Sequence, residues 1–90
     1  MNKSEVSRTT WTEDEGVESA VLLQLLDLHP TRLTLAELRR EMGSDREDFA
    51  ERDAVERAVR ELSAAGLLHE GGEYVVPTRA ALRFSELLDR

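Results

Sequence analysis

Two arginines, Arg57 and Arg60, lie three residues apart in a stretch whose apolar residues have helical spacing. A guanidinium group donates paired hydrogen bonds that fit the edge of a guanine base or the oxygens of a phosphate. Asp53 and Glu56 each precede one of these arginines by four residues, an orientation that favours intrahelical ion pairs of about 0.2–0.5 kcal/mol. The same residues therefore suit either anion recognition or an ordinary solvated helix face.

The remaining chemistry-bearing residues give little support for catalysis or metal binding. The chain has no cysteine, which excludes disulfides, thiolate zinc sites and thiol nucleophiles. His29 precedes a proline and is expected to be exposed, whereas His69 is expected to pair with Tyr74, and neither forms a metal site alone. No carboxylate is paired with a base or nucleophile in a recognisable pattern. We expect no enzyme activity, no catalytic residue, no metal and no cofactor.

The net charge of −7 restricts the partners of the chain, because proteins that bind nucleic acid usually carry a basic surface. Residues 1–28 hold two basic and six acidic groups, residues 29–66 hold seven and nine, and residues 67–90 hold three and four. The surplus of acid therefore lies mainly at the N-terminus, and the middle segment is nearly balanced.

Length and composition predict one folded domain, since 90 residues with 34% charged side chains lie in the globular range. No stretch approaches the roughly 20 apolar residues of a membrane span, and the polar start is not followed by an apolar signal core. We expect a cytoplasmic protein with no membrane partner. Residues 1–10 lack periodicity and are expected to form a flexible polar tail before a domain over 11–90.

Apolar residues at helical spacing, together with start and stop signals, predict four helices. Capping-box spacing, in which a Thr hydroxyl and a Glu carboxylate three residues later bind free N–H groups, marks two helix starts at Thr12 and Thr34. Glycines end the second and third helices at Gly43 and Gly66, and Thr78 caps the fourth. The start of the third helix has two alternatives. The predicted spans are 13–28, 35–42, 46–65 or 51–65, and 79–89.

A tight β-hairpin is predicted around Gly71–Gly72, because the type I′ turn needs positive φ at both central residues. In the simplest register His69 lies opposite Tyr74 and Glu70 lies opposite Glu73. One short extended segment connects the first two helices. The chain is therefore expected to be mainly α with a small β-hairpin, in the α+β class, with the order α-β-α-α-β-β-α.

Three sequence blocks, at 33–38, 55–68 and 74–78, carry a family resemblance through their order and spacing. Together they resemble the winged helix-turn-helix domain of small bacterial transcriptional regulators, over residues 13–88. The resemblance implies a recognition helix over about 51–65 followed by a hairpin wing. Two features depart from it: the segment before Val55 is longer than the compact turn of simple repressors, and Glu70 and Glu73 stand where DNA-binding relatives often have Arg or Lys.

The resemblance implies that the outward face of the third helix enters the major groove of DNA. With Val55 at the centre of the buried face, Arg57 and Arg60 point outward together. The implied base-reading residues are Asp53, Glu56, Arg57 and Arg60. The implied phosphate-binding residues are Thr34, Arg39, Arg40, Arg46 and Arg52.

Two functions are consistent with these patterns. The first is a sequence-specific transcriptional regulator whose partner is double-stranded DNA. The alternative is a winged-helix protein–protein interaction module with an acidic surface that does not bind DNA. Under both functions Trp11, the first helix and the last-helix pair Leu87–Leu88 offer apolar surface for a homodimer.

Overall fold

The computed structural model describes the backbone of residues 3–43 and 49–89, and the side chains of residues 14–43 and 53–89. Within these ranges the chain forms four helices and a three-stranded antiparallel sheet, so the expected α+β class is confirmed. The element order is also as predicted. The elements are α1 (Lys3–Leu28), β1 (Leu33–Thr34), α2 (Leu35–Glu41), α3 (Phe49–Ala64), β2 (Leu68–Gly71), β3 (Tyr74–Pro77) and α4 (Arg79–Leu88).

Helix α1 begins at Lys3, nine residues before the capping residue expected at Thr12. The predicted start is therefore wrong, and residues 3–10, expected as a flexible tail, are helical. No glycine or proline interrupts residues 3–15. A helix that is already nucleated gains one hydrogen bond for each residue it adds, so elongation can continue past a local start signal.

The core lies where α1, α2, α3 and one face of the sheet meet. Apolar periodicity predicted most of its helical residues, although Ala20, expected on the apolar face of α1, is exposed. Conversely, Ala58 of α3 is buried. The buried core consists of Val21, Leu25, Leu33, Leu38, Val55, Ala58, Val59, Leu62, Leu68 and Val75.

Glycines with a left-handed backbone end α2 and α3 as predicted. Gly43 has a φ of +81° and Gly66 a φ of +84°, values that are costly for residues with a Cβ. Helix α3 starts at Phe49, between its two predicted starts, and residues 44–48 lie outside the described residues. At the fourth helix the Thr78 hydroxyl accepts a hydrogen bond from the Ala81 N–H at 3.2 Å, which confirms the predicted cap.

The hairpin turn is displaced by one residue from its predicted position. Its central residues are Gly72 and Glu73, and only Gly72 has positive φ, at +62°. This arrangement is that of a type II′ turn, which needs glycine only at its first central position. The predicted turn at Gly71–Gly72 is therefore wrong. His69 lies opposite Val76 rather than opposite Tyr74.

Helix α3 ends in a hydrogen-bonded motif that leads directly into β2. The N–H of Leu67 donates to the carbonyl of Leu62 at 2.9 Å, and the N–H of Gly66 donates to the carbonyl of Ser63 at 3.1 Å. These two bonds form a Schellman motif. Strand β2 begins at Leu68, and the carbonyl of Leu67 accepts from the N–H of Thr78 at 3.0 Å in continuation of the strand pairing.

Strand β3 is central in the sheet, whose order is β1-β3-β2. Leu33 lies opposite Val75, and Thr34 lies opposite Tyr74. The short segment between α1 and α2 is thus a third strand, which connects the hairpin to the helices. None of the described helices is both long and apolar enough to span a membrane.

Candidate nucleic-acid interface

Helix α3 has one buried face and one exposed face, as its sequence predicts. Arg57 and Arg60 are exposed, together with Asp53 and Ala64. The predicted orientation of both arginines is therefore confirmed. Their partners are different from those suggested by spacing along the helix.

Arg57 pairs with a residue of α1 rather than with Asp53. Its Nη2 lies 3.5 Å from Oδ1 of Asp14, and the two side chains are 54% and 50% exposed. Among the described ion pairs, neither the Asp53–Arg57 pair nor the Glu56–Arg60 pair is formed. An ion pair this exposed is screened by water and contributes about 0–1 kcal/mol, so Arg57 can exchange Asp14 for another anion.

An open groove of about 460 Å³ lies between the middle of α1 and α3. Its charged lining consists of four carboxylates and two guanidinium groups, those of Asp14, Glu15, Glu18, Glu61, Arg57 and Arg60. Asp14, Glu15 and Glu18, in the middle of α1, thus contribute negative charge to the surface beside α3. This surplus of negative charge opposes the approach of a phosphate backbone.

Glu56, expected among the base-reading residues, faces α2 instead. Its Oε1 lies 3.4 Å from Nη1 of Arg39, whose side chain is only 20% exposed. This contact joins α2 to α3. Glu56 and Arg39 therefore contact each other between the two helices, while 38% of the Glu56 side chain stays exposed to solvent.

The N-terminus of α2 already holds an anion. The N–H of Thr34 donates to Oε1 of Glu37 at 2.8 Å, and the hydroxyl of Thr34 accepts from the N–H of Glu37 at 3.1 Å. The hydrogen bonds that the Glu37 carboxylate accepts from Thr34 hold its pKa below its ordinary value, the bond from the backbone N–H most strongly. A phosphate bound by Thr34, as expected from sequence, would have to displace this carboxylate.

Arg40 and Arg60 are the cations best presented by α2 and α3. Both are exposed, and neither forms an ion pair with another described side chain. Of the other expected phosphate-binding residues, Arg46 lies outside the described residues. Arg52 lies on α3, but its side chain is outside the described set.

The tip of the hairpin is acidic. Glu73 occupies the turn and Glu70 the neighbouring strand position, and both side chains are exposed. They are not opposite each other, so the like-charge pair expected from the predicted register is absent. The hairpin still offers no basic side chain at its tip.

Helix α4 leaves much of its apolar face uncovered. Only Ala81 is buried in this helix, whereas Phe84, Leu87 and Leu88 are 59%, 48% and 68% exposed. The sequence drew attention to Leu87 and Leu88 but not to Phe84. Phe84 lies three residues before Leu87 and four before Leu88, and this helical spacing would have identified it as part of the same apolar face.

The described residues contain no group of three or more histidine, aspartate and glutamate side chains that could hold a metal ion. Comparisons with protein-family models, with curated proteins and with solved structures found no match to the chain. Its function must therefore be argued from the surfaces described above.

Proposed function

We propose that this chain is a winged helix-turn-helix protein of the cytoplasm that binds double-stranded DNA and regulates transcription. Three features support the proposal: the element order, the α2–α3 pair connected across residues 42–48, and the hairpin that follows α3 directly. In this assignment α3 is the recognition helix, and β2 with β3 forms the wing. Fold alone does not determine function, so the proposal depends on the surface of α3.

The observation that carries the proposal is the exposure of Arg60 and Arg57 on the side of α3 opposite its core residues. Arg60 is unpaired among the described side chains, and Arg57 is held only by a solvent-exposed contact. An arginine in the major groove binds guanine O6 and N7 with about 1–3 kcal/mol of discrimination. Asp53, on the same face, can accept a hydrogen bond from the amino group of cytosine.

Arg40 is the proposed phosphate contact of α2, while Arg39 and Glu56 keep their structural role between the helices. With few cations and an acidic groove beside them, binding is expected to be weak at physiological ionic strength. Each phosphate contact contributes about −0.9 to the slope of log affinity against log salt concentration. A shallow slope is thus expected, unlike that of strongly basic DNA-binding proteins.

Fluorescence anisotropy of the full chain with random and genomic duplexes, at low salt, tests the proposal. The double variant Arg57→Ala/Arg60→Ala is expected to lose about tenfold or more in affinity. Arg83→Ala is the matched control, since this exposed arginine of α4 is paired with Glu86 on its own helix. Absence of duplex binding, or equal affinity of the double variant and the wild type, would show that the proposal is wrong.

The acidic groove and hairpin tip favour a second candidate function, a protein-interaction module that does not bind DNA. Under this function the carboxylates beside α3 would meet a basic partner. Recovery of a stoichiometric basic partner, lost in the variant Glu15→Gln/Glu18→Gln and accompanied by no duplex binding, would support it. Clear duplex binding without such a partner would exclude it.

A further inference from the structure

A cleft of about 500 Å³ lies between the outer face of the sheet and the turn that follows α1. Its volume falls within the range of about 300–1,000 Å³ typical of small-molecule sites. His29 and Arg32 line it from the turn, and His69, Tyr74 and Val76 line it from the sheet. Both histidines of the chain thus face one concave surface.

Alternation along the strands explains why these side chains meet. Leu33, Leu68 and Val75 are buried towards the helices, so their strand neighbours point to the opposite face of the sheet. The register places His69 opposite Val76. The outer face therefore presents an imidazole beside an aliphatic side chain.

Gly71 leaves space beside the imidazole of His69. A Cβ on Gly71 would be 3.2 Å from Nε2 and 3.3 Å from Cδ2 of His69, closer than most real Cβ contacts. Gly71 does not have a positive φ, so its backbone conformation does not require glycine. Its missing side chain instead leaves the imidazole close to the Gly71 backbone, and Tyr74 lies opposite Gly71 in the strand pairing.

The chemistry of the cleft contrasts with the acidic surface of the protein. Arg32, the two imidazoles and the Tyr74 hydroxyl supply hydrogen-bond donors. No aspartate or glutamate belongs to its lining, all of which the structure describes. Arg32 is exposed and forms no ion pair with a described carboxylate. In a chain with a net charge of −7, this is a concave surface suited to an anion.

We propose that the cleft binds a small organic anion that carries a planar ring. Its phosphate or carboxylate group binds the guanidinium of Arg32, and its ring packs against Tyr74 and the imidazole of His69. This site is separate from the arginines of α3, and the proposal does not depend on DNA binding.

Titration of the full chain, followed by the aromatic NMR signals of His29, His69 and Tyr74, tests the proposal. The probes are phenyl phosphate, benzoate, inorganic phosphate and phenol. The two ring-bearing anions are expected to shift all three sets of signals at lower concentration than phosphate or phenol. The comparison of phenyl phosphate with benzoate distinguishes phosphate from carboxylate as the preferred anionic group.

Two variants test the roles of single residues. Arg32→Gln is expected to lower the affinity for the preferred anion about tenfold or more, because a charge-assisted hydrogen bond is lost. Arg83→Gln is the charge-matched control and is expected to bind like the wild type. Gly71→Ala is expected to weaken binding while the signals of core residues such as Val75 stay in place.

Three results would overturn the proposal. The first is the absence of shifts with both ring-bearing anions up to millimolar concentration. The second is equal affinity of Arg32→Gln and Arg83→Gln. The third is a shift of the same signals by duplex DNA alone, which would assign this face to a nucleic-acid surface.

Discussion

Arg57 of α3 and Asp14 of α1 are joined by a contact of 3.5 Å between Nη2 and Oδ1. The two residues are separated by 43 positions in the sequence, and each is about half exposed. The first helix thus competes with any external anion for one of the two arginines assigned to base recognition. Charge on α1 is therefore expected to regulate how readily α3 binds DNA.

Replacing Asp14 tests this competition. Asp14→Asn is expected to raise duplex affinity at low salt by up to about fivefold, the equivalent of an exposed ion pair. Anisotropy titration measures the change, with Glu86→Gln as control because it removes an exposed carboxylate from the Arg83 pair on α4. If Asp14→Asn bound duplex DNA no better than Glu86→Gln, Asp14 would have no role in DNA binding.

Two leucines of α1 are expected to differ sharply in their effect on stability. Leu25 is 1% exposed and Leu23 is 64% exposed. Leu25→Ala should lower the free energy of unfolding by about 2–5 kcal/mol, through lost burial and a residual cavity. Leu23→Ala should change it by less than about 0.5 kcal/mol. Urea unfolding at two protein concentrations measures both, and similar losses would contradict the assigned face of α1.

The capping box of α2 is expected to make stability depend on pH. The pKa of Glu37 lies below its ordinary value of 4.5, chiefly because the Thr34 N–H donates to the carboxylate. A carboxyl with a lowered folded pKa stabilises the fold above its unfolded pKa, and this contribution disappears as the pH falls through the folded pKa. Stability supplied by Glu37 is thus complete above about pH 4.5 and is lost in more acidic solution.

Urea unfolding between neutral and acidic pH should show this contribution as a difference between variants. Glu37→Gln is expected to be less stable than the wild type at neutral pH, and the difference should shrink on acidification. Glu73→Gln, in the hairpin turn, is the control for loss of one negative charge. If Glu37→Gln and the wild type lost stability in parallel, the capping carboxylate would not be the titrating group.

The uncovered strip on α4 is expected to mediate a homodimer. A stable interface buries about 800 Å² on each partner, more than Phe84, Leu87 and Leu88 supply, so α1 should contribute as the sequence suggested. Phe84→Asp is expected to shift a concentration-dependent dimer to monomer in sedimentation velocity. Glu86→Gln, on the same helix, should leave the dimer intact. A wild-type protein that sediments as a monomer at all concentrations would refute the assignment.

Local signals predicted local features of this chain. The Thr34–Glu37 capping box, the glycine ends of α2 and α3, and the Thr78 cap each depend on residues close in sequence, and each was found. The hairpin turn was predicted one residue too early. Two consecutive glycines fit either a type I′ turn at Gly71–Gly72 or a type II′ turn at Gly72–Glu73, and the local sequence does not select between these two registers.

The candidate interface on α3 and the cleft beside the sheet were harder to predict from sequence, because both depend on which elements pack together. Spacing along the helix predicted an ion pair between Arg57 and Asp53, whereas packing of α1 on α3 brings Asp14 into contact with Arg57. Likewise, the positions of Arg32 and His69 in the sequence do not indicate that they line one cleft. The pairing of β1 with β3 brings them together.

Thr78 links the beginning of α4 to the residues that follow α3. Its N–H donates to the carbonyl of Leu67 at 3.0 Å, and its hydroxyl donates to the carbonyl of Gly66 at 2.7 Å. The same hydroxyl accepts from Ala81 at the start of α4. The beginning of α4 is therefore hydrogen-bonded to the residues that follow α3, and this fixes the orientation of the two helices relative to each other. In a symmetric dimer formed through α4, these hydrogen bonds would fix the distance between the two copies of α3.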